Sequence, residues 1–343
     1  MKNININIIA QEAGVSTATV SRALSGNSSI KDSTRQKILR IADQFDYRPS
    51  HLARGLTTKK TDTIGLILPD LMGEFFMEVI HSIDNEAHNA NKYLMVASSH
   101  SQRDTIETMV EFMSSGRVDG VILMAPKVQN RIHDLSKNKK KPVVFLNSCK
   151  NNKEIVNFSV NNYGGAKSVV EHLISHGYKK IGMIKGPQGN CEADDRAQGF
   201  NDALKGNDIA IDKDLIIDGD FTVNGGYYGF LRLFNQKNKP EAIFAANDMM
   251  GVGIYQAAKS LGISIPEDLA VVGFDDIFLS RLLAPRLTTV HVPISELASK
   301  AVKHLLKMIN NDAAKDASYN EVLSTGLIIG GSCGCEQSLN IGI

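Results

Sequence analysis

The run Ile6-Asn7-Ile8-Ile9-Ala10-Gln11-Glu12-Ala13-Gly14-Val15-Ser16-Thr17-Ala18-Thr19-Val20-Ser21-Arg22-Ala23-Leu24 constrains this chain more than any other stretch. It predicts two short helices joined by a tight turn at Gly14-Val15, a helix-turn-helix. Ile6, Ile9, Ala10 and Ala13 form one helical stripe, and Asn5 is the expected N-cap of the first helix. Gly14 supplies the left-handed backbone that such a turn often needs. Ser16 is the expected N-cap of the second helix. Val20 and Leu24 then face inward, and Thr17, Ala18, Ser21 and Arg22 face outward. Thr17 and Ala18 sit at the end that enters a major groove. Arg22, one turn on, suits a bidentate contact to guanine. A third helix is expected from Ser33-Thr34-Arg35-Gln36, which has capping-box spacing, with Ile38, Ile41, Ala42 and Phe45 inward. An ordinary αα-hairpin is the alternative reading of the pattern.

Charge points the same way. Residues 1–60 hold ten Lys/Arg and four acids, a net +6, whereas the whole 343-residue chain is +1 and the remainder therefore −5. A basic head on a mildly acidic body suits phosphate contact, with a solvated basic face as the alternative. The length calls for roughly two to three domains. Tyr47-Arg48-Pro49-Ser50 leads into a short helical stretch, His51 to Leu56, too short to hold by itself. Leu56 lacks an obvious core; it reads as a wedge between base steps or as part of a plain linker.

From Thr63 onward short apolar strands (Ile64–Leu68, Tyr93–Ala97, Gly120–Met124, Val143–Leu146) alternate with helical patterns such as Phe76-Val79-Ile80-Ile83-Ala87. A second series follows at Lys180–Ile184, Leu215–Ile217, Ala242–Ala246 and Leu269–Phe274. Two such series predict two lobes with parallel sheets, and ligands bind beyond the carboxyl ends of such strands. The residues past those ends are Asp70, Phe75, Ser98, Arg196, Phe221, Asn247, Asp248 and Asp275. Asp and Asn suit sugar hydroxyls, Arg196 suits vicinal oxygens or a carboxylate, and Phe221 can stack on a sugar ring. Each alone also fits a turn or a helix cap. The chain is expected to cross between lobes near 158–163, 288–293 and 323–328. The helix around Glu296–Ile309 then returns to the first lobe, and Leu327-Ile328-Ile329 is the last strand.

Several function classes lose support. No Gly-x-Gly-x-x-Gly follows a strand and no phosphate-loop motif is present, which argues against a dinucleotide or nucleotide enzyme. No N-terminal segment resembles a signal peptide and no long apolar run spans a bilayer, so a cytoplasmic protein with no membrane partner is expected. The four cysteines, Cys149, Cys191, Cys333 and Cys335, form no disulfide framework. Cys333-Gly334-Cys335 raises a metal or redox idea, but neither a His nor a second Cys pair lies nearby in sequence. His172 and His176, four apart on an expected helix, read as a solvated face. Neither a metal nor a cofactor is expected.

Ala13-Gly14-Val15-Ser16, Thr19-Val20-Ser21-Arg22, Tyr47-Arg48-Pro49, Leu52-Ala53-Arg54-Gly55-Leu56 and Thr63-Ile64-Gly65-Leu66-Ile67 together resemble the LacI family of bacterial transcription regulators. The resemblance covers essentially the whole chain. It implies a small all-α three-helix helix-turn-helix domain (1–48), a hinge segment (49–61) and a two-lobed α/β domain with parallel sheets like a periplasmic binding protein (62–343). The N-lobe is expected near 62–160 and 291–324, the C-lobe near 161–290 and 325–343. Base reading falls to the positions of Thr17, Ala18 and Arg22, and intercalation to Leu56. Asn5, Ser16, Ser21, Leu52 and Ala53 complete the expected DNA-contacting set. Effector contact is implied at Arg196, Asn247 and Asp275, with Phe221 as the aromatic; Asp70 and Phe75 join them. Three departures stand out: Ile8 where the family usually has Asp, Gly73-Glu74 where Asn-Pro precedes Phe-Phe, and Asn161-Asn162 in place of Asp-Asn.

The expected function is a sequence-specific transcription regulator, in the repressor sense, acting as a homodimer on a palindromic operator in double-stranded DNA. A small effector, a sugar or sugar derivative, is expected between the lobes; a nucleoside or purine would use similar groups. A transporter's solute-binding protein and a dehydrogenase are the competing classes.

Overall fold

The computed structural model describes residues 4–24, 29–47, 60–69, 73–98, 111, 115–124, 141–148, 155–310 and 318–335. The chain forms two compact units, Met1–Thr61 and Asp62–Ile343. The expected hinge helix, with Leu52, Ala53 and Leu56, lies outside the described residues, as do Asp70 and Cys149.

Among the described residues the first unit holds three helices, α1 (Ile6–Ala13), α2 (Thr17–Leu24) and α3 (Asp32–Gln44). Asn5 caps α1, its Oδ1 accepting from the Asn7 and Ile8 amides at 3.0 and 3.3 Å. Gly14 ends α1 at φ +66°, a left-handed conformation that costs glycine nothing. Ser16 Oγ accepts from the Thr19 amide at 3.2 Å and so caps α2. Ile9, Ala10, Ala13, Val20, Ala23 and Ile38 form the buried core, with Leu24, Ile41 and Phe45 half-buried around it. Helix α3 departs from expectation. It begins at Asp32 behind Lys31, which makes no side-chain cap, so the Ser33/Gln36 box does not form. An acid in the first turn favours this earlier start by facing the positive end of the helix.

Among the described residues the second unit contains twelve strands in chain order: β1 Thr63–Leu68, β2 Tyr93–Ser98, β3 Gly120–Met124, β4 Val143–Leu146, β5 Val156–Val160, β6 Ile181–Lys185, β7 Ile216–Asp218, β8 Ala242–Ala245, β9 Ala270–Asp275, β10 Thr288–His291, β11 Tyr319–Leu323 and β12 Gly326–Ile328. Its described helices are α4 Glu74–Asn89, α5 Asn162–Ser175, α6 Cys191–Gly206, α7 Val223–Phe234, α8 Asp248–Ser260, α9 Phe278–Leu282 and α10 Ile294–Ile309. Two six-stranded sheets result, ordered β11-β5-β4-β3-β1-β2 and β12-β10-β9-β8-β6-β7. The first is parallel throughout; in the second only β12 runs antiparallel, against β10. The central strands β3, β4, β8 and β9 are buried along their whole length, as apolar strands covered on both faces must be.

The chain passes between the lobes three times. It leaves the first sheet after β5 to enter α5, which packs on β9, β10 and β12. After β10 it returns as α10, which packs on α4, β3, β4 and β5. Strand β11 joins the first sheet and β12, three residues on, joins the second. Among the described residues no helix is long and apolar enough to cross a membrane. Helices α7 and α8 touch backbone to backbone. A Cβ at Gly226 would overlap the Met250 carbonyl, and one at Gly253 the Val223 carbonyl. That contact fixes α8, whose first turn carries Asn247 and Asp248. Gly253→Ala should therefore lower the unfolding free energy by about 1–3 kcal/mol, read as a lower urea midpoint with an unchanged slope.

Candidate functional site

On the first unit, Asn5, Ser16, Thr17, Ala18, Ser21 and Arg22 are all exposed, while Val20 and Ala23 turn the other side of α2 into the core. Capping explains two of these residues structurally. Asn5 and Ser16 each spend a side-chain oxygen on a helix N-terminus. The surface left by Thr17, Ala18, Ser21 and Arg22 is small, polar and cationic at one point. It can approach a groove closely and places the positive end of α2 where phosphate would sit.

In the second unit, the carboxyl ends of β8 and β9 and the N-terminal ends of α5 and α6 converge on one guanidinium. Arg196 lies on α6 and is 4% exposed. Its Nε donates to Asn162 Oδ1 at 2.8 Å, and one terminal nitrogen donates to the Ala246 carbonyl at 2.6 Å. The other terminal nitrogen pairs with Asp275 Oδ1 at 3.3 Å. Its carbon lies 3.7 Å from the centre of the Phe274 ring and 5.6 Å from that of Phe221. A guanidinium has five N–H groups; two hydrogen bonds and the ion pair with Asp275, whose Oδ1 accepts no hydrogen bond among the described residues, leave two for a ligand. Asp275 has φ +116°, a backbone strain that aims its buried carboxyl at the arginine. Burial pushes that carboxyl up to about 7, Arg196 pulls it down and Glu192 raises it.

Neighbouring groups hold this arrangement in place. Asp248 is fully buried, accepts from Thr289 Oγ1 at 2.6 Å and the Ile277 amide at 3.0 Å, and is held well above the usual carboxylate range by burial. Asn247 caps α8 through the Met250 amide and donates to the Phe221 carbonyl at 3.1 Å. Phe221 itself has φ +66°, and its ring fills the space where Gly186 lacks a side chain.

Among the described residues, polar contacts join the two lobes at Glu74 and at Asn147. Glu74 accepts from the Phe278 and Leu279 amides at 2.7 and 3.1 Å, bridging α4 to the first turn of α9. Asn147, just past β4, donates to Glu192 on α6 at 2.6 Å. Its Oδ1 is buried without a hydrogen-bond partner among the described residues. Burial raises the Glu192 carboxyl, while Arg196 and the Asn147 amide lower it. Phe75 packs edge-on against Phe76 beside the same lobe's core.

The structure thus brings Arg196, Phe221, Asn247 and Asp275 together, leaves Phe75 on the facing lobe and does not describe Asp70. It gives Asn247 and Asp248 bonds within the fold as well, one donated and one accepted by the Asn247 amide and two accepted by the Asp248 carboxyl. Sequence reasoning missed Asn147 and Glu192, and met Glu74 and Asn162 only as departures from the family pattern. Asn147 follows a strand's carboxyl end and the same rule would have found it; Glu192 carries no signal of its own. Cys191, first residue of α6, is disulfide-bonded, which composition did not suggest.

Comparison with known proteins adds a second line of evidence. Residues 5–50 match the family model described as bacterial regulatory proteins, lacI family, and residues 170–333 match a periplasmic binding protein-like domain. The ribose operon repressor of Haemophilus influenzae is 33% identical over 307 residues, covering 88% of this chain and 91% of that protein. The HTH-type transcriptional repressor PurR of Haemophilus influenzae is 30% identical over 316 residues, covering 92% and 94%. The crystal structure of the Lac repressor dimer bound to operator and the anti-inducer ONPF superposes with a TM-score of 0.86 at 25% identity, covering 97% of this chain and 99% of that one.

The raised Asp275 carboxyl has a signed consequence. An ordinary aspartate ionises near 3.8, so the unfolded chain loses this proton at lower pH than the folded one. The stabilising contribution is complete below that value and is lost as pH rises to about 7. The unfolding free energy measured across this window should fall with rising pH, and Asp275→Asn should flatten that slope.

Proposed function

The chain belongs to the LacI family of bacterial regulatory proteins, and on that premise we propose that it is a homodimeric repressor of palindromic operators controlled by a sugar or sugar derivative bound against Arg196. At the coarser level it is a DNA-binding transcriptional repressor with an effector-binding body, and not an enzyme. The finer reading is carried by one observation. Arg196 is buried among acceptors at the carboxyl ends of parallel strands, with two N–H groups to spare.

That donor pair, the Asn147 Oδ1 without a partner among the described residues and the Asp275 carboxyl offer both donors and acceptors, as a ring bearing vicinal hydroxyls requires. Phe221 offers a single aromatic face beside them, enough for the apolar side of a sugar. The names of the relatives, a ribose operon repressor and a repressor called PurR, do not fix one effector, so the chemistry of this cleft carries the choice. The DNA-contacting set is Asn5, Ser16, Thr17, Ala18, Ser21 and Arg22 from the head, joined by Leu52, Ala53 and Leu56. The domain limits are those expected from the sequence, 1–48, 49–61 and 62–343, and the protein works in the cytoplasm. One head covers a half-site, so two-fold symmetry calls for a dimer.

The lobes close through Glu74 and through Asn147 with Glu192. A ligand that binds the closed form better than the open one shifts that equilibrium and, through the hinge, the spacing of two heads. Two measurements test this. In a thermal-shift screen against sugars, sugar phosphates and nucleosides, a sugar should raise the melting temperature. Arg196→Lys, which keeps the charge and loses the fork, should abolish most of that rise. A rise only with nucleosides would overturn the sugar assignment. In binding selection from random duplexes, the wild type should enrich a palindrome and Arg22→Ala should lose discrimination of about 1–3 kcal/mol at one base pair per half-site. Unchanged preference would remove Arg22 from the base-reading set.

A further inference from the structure

The C-terminal segment beyond β12 folds back onto α5. The Gly331 and Ser332 amides donate to the Arg286 carbonyl, and the Val271 amide donates to the Ser332 carbonyl at 2.9 Å. This docking carries Cys333 and Cys335 to the last turn of α5 and its end, where His172 and His176 stand one turn apart. The sequence reading assigned no metal here, because more than 150 positions separate the two pairs. The fold cancels that separation.

We propose that His172, His176, Cys333 and Cys335 form a structural zinc site. One nitrogen from each histidine and the two sulfurs all lie within 4.8 Å of one another. His172 Nε2 is 3.3 Å from Cys333 Sγ and 3.6 Å from Cys335 Sγ, and His176 Nε2 is 3.2 Å from Cys335 Sγ. Tetrahedral zinc, with Zn–S about 2.3 Å and Zn–N about 2.0 Å, sets an N···S edge of about 3.5 Å. The observed edges bracket that value.

Local structure favours ligation by both pairs. Residues four apart on a helix share a face, which brings the two imidazoles to a ring separation of 4.7 Å. The Cys-x-Cys spacing is tighter than the usual Cys-x2–4-Cys of zinc sites, and Gly334 at φ +92° turns the chain between the two sulfurs. Thr288 Oγ1 donates to Cys333 Sγ at 3.1 Å, a bond that stabilises a thiolate. Cys333 is fully buried, Cys335 and His172 are half-buried and His176 lies at the rim. Two thiolates neutralise a divalent ion, so the loaded site carries no net charge into the interior. The all-nitrogen-and-sulfur donor set selects zinc over magnesium, calcium or manganese. Four protein ligands leave no open position, which assigns the ion a structural role: it fastens the C-terminal segment to α5.

The test uses the untagged full-length protein, purified with a reductant and dialysed without chelator. Elemental analysis should find one zinc per chain, and the chelator-stripped protein should take up one cobalt(II), with the strong visible bands and sulfur charge-transfer absorption of tetrahedral thiolate ligation. Cys335→Ser and His176→Ala, both at the less buried side of the site, should fold normally by circular dichroism, lose the stoichiometric zinc and lose the drop in melting temperature that chelator causes in the wild type. Cys191→Ser should retain one zinc. Three results would overturn the proposal: a folded, reduced wild type with substoichiometric zinc, cobalt bands of an octahedral ion without sulfur absorption, or a Cys333–Cys335 disulfide in the protein as purified.

Discussion

The body of this protein is organised around one buried cation. Arg196 cannot be withdrawn from water without partners, because an unpaired guanidinium in the interior would cost several kcal/mol. Four separate parts of the chain supply them: Asn162 from the start of α5, the Ala246 carbonyl past β8, and Phe274 and Asp275 at the end of β9, with Phe221 nearby. Each of these sits at an element's end, so the guanidinium fixes how the strand ends and helix starts meet. The unusual backbone of Asp275 and the burial of Asp248 behind it follow from the same requirement. What the fold leaves over, two N–H groups and a carboxyl raised by burial, is what a polar ligand meets.

Much of this was legible in the sequence, for identifiable reasons. Short apolar runs such as Gly120–Met124 and Ala270–Asp275 alternate with helices, and only a parallel sheet covered on both faces buries such strands. Arg196, Phe221 and Asp275 were found because they follow or face strand ends. Other features depend on contacts that no local pattern encodes. Strand β11, Tyr-Asn-Glu-Val-Leu, is largely polar and exposed, and it pairs with β5 only because the chain returns there through α10. Glu74 looked like a departure from a motif. In the fold it accepts two amides from the opposite lobe, a role set by long-range geometry. Asn161 does the capping work of the acid usual at its position, accepting from the Gly164 amide, and Asn162 turns its oxygen to Arg196. The Ser33/Gln36 pair had the right spacing for a cap and is not one, because the helix begins at Asp32.

The head and body divide their labour by charge and by packing. The head carries a net +6 over residues 1–60 on a core of small and medium side chains, and α2 displays short polar residues outward. The body buries a few charged groups around the cleft, among them Arg196, Asp248 and Asp275. Three chain crossings near one another allow the two lobes to move about a common hinge while each sheet stays intact. In our account, effector binding acts on that hinge, and the cleft and the DNA-reading surface are coupled by a free energy that each site exerts equally on the other.

The measurement that tests this coupling most directly is the affinity of the full-length protein for its selected palindromic duplex, by fluorescence anisotropy, with and without saturating effector at constant salt. The account predicts a change of about fivefold or more, and the same factor in effector affinity when DNA is added. Equal DNA affinity with and without bound effector would contradict it, because the cleft would then bind its ligand without governing the head.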